Sequence, residues 1–219
     1  MTPVLDPKTL KHFGLISYAA FLSIVLLTAK SYEENSLSTD ISTLQLGLCS
    51  AASLIIPLAI FRRCKSIGRR ECLTWIILAA GCAVLAMDDK LMLHERLDQL
   101  IHEIFKWEET RISDKIDDII VGLYGFIGIA FIAANRKYFL FSSNFMACAK
   151  GSIALAFVMV LCDMRSLYRL NESQNQILSH LEEWSKIFGG ACLLIGLLCA
   201  LEDAIKIQSR IPENLNRQP

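Results

Sequence analysis

The sequence predicts an all-α fold: a polytopic membrane helix bundle of about six transmembrane helices, with amphipathic helices outside the membrane on one side. Three observations carry this. The 219 residues are 53% hydrophobic, and the apolar residues come in blocks. Six of those blocks approach the ~20 residues that cross a hydrocarbon core. Lysine and arginine then segregate between the loops as the positive-inside rule requires.

The whole chain, 1–219, reads as a single transmembrane domain. Its first span is 13–30, FGLISYAAFLSIVLLTAK. It reads as retained, because Asp6, Lys8 and Lys11 precede it and no small-x-small cleavage site follows. The second span is 43–61, where Pro57 predicts a kink one turn from the end. The third is 72–88. No proline or glycine separates it from the charged run that follows, so the two read as one hybrid helix.

Within that run, Leu93, Leu97, Leu100 and Ile104 recur every three or four residues and form one helical face. Glu95, Asp98 and His102 fall on the other side, predicting an amphipathic surface helix with a solvated polar side within an outer segment 89–117. The fourth span is 118–135. Its Gly122, Gly125 and Gly128 are spaced to let a neighbouring helix approach, which predicts a homo-oligomer contact there. The fifth span is 147–166. A second outer amphipathic segment, 167–186, is expected to pack on 90–105 as a lid, and 187–205 is the sixth span. Trp75, Trp107 and Trp184 fall where interfacial anchors belong.

Orientation follows from FRRCKSIGRR, residues 61–70, which places five cations in the cytoplasm. Both termini are then cytoplasmic, and in a bacterium the membrane is the inner one. With that one assumption, thirteen of the 22 Lys and Arg lie inside, against only five of the 22 Asp and Glu. Every other loop agrees.

Zero net charge gives no support to nucleic-acid binding, and membrane lipid is the expected partner. There is no P-loop, GxGxxG or GxSxG. The eight cysteines contain no CxxC pair and read as small apolar fillers.

What remains is a set of carboxylates and imidazoles at the outer helix ends. Asp88 and Asp89 close the third span, where an ionised carboxylate must find water, a partner or a cation. Asp163 closes the fifth, and Glu182, Glu183 and Lys186 open the sixth. Glu182 and Lys186 are four apart, in the order that predicts a local salt bridge. Asp88, Asp89, His94, Glu95, Asp163 and Glu183 form a candidate metal set, and the implied cofactor is a divalent ion.

The expected function is therefore cation binding for transport, sensing or structure. One alternative is a metal-dependent membrane hydrolase, or another enzyme acting on outer-leaflet lipid, with Glu95 or Glu183 as base. Another is a non-catalytic assembly subunit.

Overall fold

The computed structural model describes residues 37–61, 69–106, 116–164 and 171–210. The first expected span, 13–30, lies outside them. Among the described residues the protein is all helical, and five helices are long and apolar enough to span a membrane. They are α1 (Leu37–Phe61), α2 (Arg69–Leu91), α4 (Ile116–Ala134), α5 (Ser143–Asp163) and α6 (Glu172–Arg210). Among the described residues, the short α3 (Leu93–Phe105) and one 3₁₀ turn (Arg136–Tyr138) are the other helical elements.

Packing follows the sequence of small side chains. α6 lies along α5 and α1, and α1 in turn packs on α2. Cys49, Ala52 and Ile56 of α1 meet Leu197, Ala200 and Ala204 of α6 in one buried cluster. The cluster closes on Trp75, Phe139 and Phe145, whose rings lie edge-on or tilted with centroids 5.1 to 5.7 Å apart. Trp75 is fully buried there, so it is a core residue and not the interfacial anchor that its position predicts.

α4 is the opposite case. Only 6% of its apolar window is buried within the protein, and Ile119, Phe126 and Ile127 are exposed. An apolar surface of this extent would be an aggregation hazard in water, but it is what lipid accepts.

Two expectations about helix boundaries change. The hybrid helix is broken: Met92 adopts φ 52 and ψ 48, a left-handed conformation that turns the chain between α2 and α3. A non-glycine residue there carries strain of about 1 kcal/mol, so something else must hold the turn.

The segment 167–186 and the span 187–205 are one helix from Glu172 onward. Asn171 and Gln174 cap it reciprocally: each side-chain oxygen accepts the other's backbone N–H, at 2.9 and 3.0 Å. The 39 residues of α6 measure about 58 Å at 1.5 Å each, nearly twice a hydrocarbon core. α6 therefore extends beyond the membrane. The main contacts of α3 are with α4 and α2, so the expected lid pairing with 170–185 is not what holds it.

Pro57 lies inside α1, and the helix continues through it to Phe61. The glycines of α4 are open within the chain. A Cβ at Gly122, Gly125 or Gly128 would meet nothing within 4 Å, whereas one at Gly196 would sit 2.8 Å from the Cβ of Cys148. Close helix approach is made by α6 against α5. Gly196→Ala should therefore cost about 1–3 kcal/mol through overpacking, and Gly125→Ala should cost nothing. Thermal unfolding of the two variants in the same detergent checks the contrast.

Candidate functional site

Helices α1, α4 and α6 begin at the end of the bundle where α2 and α5 finish. This end holds a buried polar layer. On α1, Ser38, Ser42 and Gln45 recur at spacings of four and three and all are buried. Facing them are Asp89 of α2 and Lys186 of α6. The Lys186 ammonium lies 2.5 Å from Asp89 Oδ1, with the two side chains 24% and 14% exposed. The Ser42 hydroxyl donates to Asp89 Oδ2, and Thr43 Oγ1 lies 3.2 Å from the same oxygen. One carboxylate thus ties three helices together. Lys186 is also within electrostatic reach of Glu183 and Glu182 of its own helix, so the pairing with Asp89 adds a partner from α2.

Asp88 points elsewhere, since neighbouring residues on a helix diverge by about 100°. It is 5% exposed and engages α3. Its Oδ1 accepts the backbone N–H of His94 at 2.9 Å, and its Oδ2 lies 2.9 Å from His94 Nδ1. The backbone bond satisfies one of the orphan donors at the start of α3, and the ring contact adds a charge-assisted partner. This is what holds Met92 in its turn. The Asp88 carboxylate is also in electrostatic contact with Tyr124 of α4.

α3 itself is oriented opposite to expectation. His102 is only 9% exposed, while Leu97, Leu100, Ile104 and Phe105 are exposed. Asp98 and His102 turn toward the protein and the apolar side faces outward, while Arg96, Gln99 and Glu103 are exposed. An amphipathic helix lying at a bilayer interface has this orientation. His102 Nδ1 lies 3.0 Å from the Asp98 carbonyl oxygen and 3.1 Å from Asp98 Oδ1; its buried Nε2 has no hydrogen-bond partner.

The remaining candidates are dispersed. Glu95 Oε1 stands 4.0 Å from His94 Nε2. Asp163 is half-buried at the end of α5. Glu183 is half-buried on α6, with Oε2 lacking a hydrogen-bond partner, and Glu182 is half-buried beside it. Among the described residues, no three His, Cys, Asp or Glu side chains are placed to hold a metal ion. Asp88 and Asp89 diverge, and each already faces a cation-capable group of the chain. An exposed Lys90–Asp40 pair at 2.7 Å repeats the theme at the surface.

Sequence reasoning missed Ser42, Thr43, Tyr124 and the inward His102. The signal for the first was present: polar residues at spacings of three and four within an otherwise apolar span mark a buried polar stripe.

A family model described as a domain of unknown function (DUF8692) matches residues 28–201, which takes in α1 to α5 and most of α6. No curated protein and no solved structure matches the chain.

Lys186→Met alone would leave Asp89 uncompensated among α1, α2 and α6, and should cost about 3 kcal/mol. The double variant Asp89→Asn with Lys186→Met should recover most of that loss. A double-mutant cycle of unfolding free energies measures the coupling; additive effects would mean that the pair is not coupled.

Proposed function

The chain belongs to the DUF8692 family, a domain of unknown function, and from the chemistry of its acidic end we propose a multi-pass membrane protein that senses cations, protons first. The sensing element is a latch. Asp88 of α2 holds α3 through both the backbone N–H and the ring of His94, across a turn strained at Met92. That observation carries the reading, because it makes the position of a membrane-surface helix depend on the charge state of one pair.

Histidine changes charge between pH 5 and 8 in ordinary surroundings. The groups facing this one are Asp88 of α2, Glu95 on α3 itself and, beyond Asp88, Tyr124 of α4. A protonated ring is a cation opposite a carboxylate, so protonation tightens the latch. A divalent metal competing for Asp88, Asp89, His94, Glu95, Asp163 or Glu183 is the second cation of the same reading.

Sensing is favoured over conduction because the middle of the bundle is packed with Cys49, Ala52, Ile56, Leu197 and Ala200. It is favoured over hydrolysis because the two aspartates are engaged with cation-capable groups of the chain rather than convergent on a cleft. The orientation that goes with this proposal places the acidic end outside and both termini in the cytoplasm, in the inner membrane if the cell is bacterial. The open faces of Gly122, Gly125 and Gly128 on α4 would receive a second copy.

The test is amide-exchange protection of residues 93–105 in lipid nanodiscs, corrected for intrinsic exchange, at pH 5 and pH 8. Wild type should be better protected at pH 5. Asp88→Asn should lose about tenfold in protection, in keeping with ~1.5 kcal/mol for a charged hydrogen bond. His94→Gln should flatten the pH dependence. Protection of α3 that is the same at both pH values in the wild type would sink the proton reading. Manganese or zinc altering protection in wild type, but not in Asp88→Asn, would support the metal version.

A further inference from the structure

The opposite end of the bundle carries a second feature, independent of the latch. The start of α2 and the end of α4 enclose a half-open cleft of about 300 Å³. Its rim is polar: Arg70, Asn135, Lys137 and Tyr138. Its inner wall is apolar: Leu73, Ile77 and Phe131.

The floor is rigid. Thr74 donates to the Arg70 carbonyl at 2.9 Å, and the Asn135 amide donates to the Phe131 carbonyl at 2.9 Å. Directly behind, Phe139 is fully buried against Trp75, fixing the 3₁₀ turn that carries Lys137 and Tyr138. Lys137 Nζ stands 4.8 Å above the Tyr138 ring, a contact that positions the ammonium without neutralising it.

Charge decides the occupant. Arg69 and Arg70 lie in the first turn of α2, where cations oppose the positive end of the helix dipole. Glu71 is the only acid in that turn. Among the described residues, Arg70 and Lys137 pair with no carboxylate. Arg70, Lys137 and Tyr138 therefore line a space that asks for an anion.

The cleft also opens along α2 onto Leu73 and Ile77, which are exposed on the lipid-facing surface. A ligand that fills it must have an anionic head and a hydrocarbon tail that continues along the helix. We infer that this cleft is a binding site for an anionic phospholipid, whose phosphate lies between Arg70 and Lys137 and whose acyl chain lies against Leu73, Ile77 and Phe131. The site lies at the end of the bundle that carries FRRCKSIGRR, which is the leaflet where anionic lipids attract basic segments.

Native mass spectrometry of the full chain, released from detergent with added phosphatidylglycerol or with phosphatidylcholine of the same acyl chains, tests this. Wild type should retain one phosphatidylglycerol and no phosphatidylcholine. Arg70→Gln with Lys137→Gln should lose tenfold or more in retention. Both side chains are exposed, so the unfolding temperature in phosphatidylcholine should be that of the wild type and will report any misfolding.

Arg136→Gln removes an exposed cation of the same turn that does not line the cleft, and should leave retention unchanged. An equal loss in Arg136→Gln would mean general surface attraction and overturn the site. So would equal retention of the two lipids, or no loss in the double variant. Inorganic phosphate at millimolar concentration should neither displace the lipid nor stabilise the protein as well as the lipid does. If it does both, the ligand is free phosphate and the lipid assignment fails.

Discussion

A carboxylate at the edge of a membrane must be answered by another charge, and the answer to Asp89 sets the geometry of the bundle. Asp89, Lys186, Ser42 and Thr43 come from α2, α6 and α1, and their contacts close only when those three helices stand in one register. Hydrophobic packing among small and aromatic side chains would tolerate sliding by a turn. A single ion pair with two hydroxyls does not. Losing one partner costs far more than the intact pair contributes, so the pair acts chiefly as a register pin.

The pin fixes its neighbour too. With Asp89 turned towards α1 and α6, the helical step of about 100° sends Asp88 to the other side of α2, towards α3 and α4. The backbone N–H and ring of His94 meet it there. The two consecutive aspartates therefore serve two separate assemblies: one rigid and internal, one at the base of a helix with an exposed apolar face. A shared metal site would need them to converge.

Much of this was legible in the sequence. The spans 72–88, 118–135 and 147–166 fall within four residues of their helices, and 43–61 and 187–205 lie inside longer ones, because ~20-residue apolar blocks can be little else in lipid. The grouping of Asp88, Asp89 and Lys186 at one end followed from counting charges by loop. What was not legible depends on contacts between residues far apart in sequence. Lys186 had Glu182 four residues away, and only the fold shows that Asp89 reaches it. The break at Met92 had no glycine or proline to announce it, because the turn is held by Asp88, four residues before it, through His94. Within the chain, close packing falls at Gly196, which no pattern marked, while the faces of Gly122, Gly125 and Gly128 stay open. Trp75 sat at an interfacial position, but Phe139, Phe141 and Phe145 drew it into the core.

The orientation of α3 links these points. A helix with Leu97, Leu100 and Ile104 on one side and Asp98 and His102 on the other can bury either side, depending on what surrounds it. Beside a soluble core the leucines would turn inward. Here Asp88 grips the polar side at His94, so the leucines turn out, to the only apolar medium left, the bilayer surface. Releasing Asp88 frees α3 to rotate about Met92, and the strain in that residue favours release. The same carboxylate thus anchors the helix and selects the face that it shows to lipid; under the proposed sensing role, the charge state of the Asp88–His94 pair would act along a 13-residue helix.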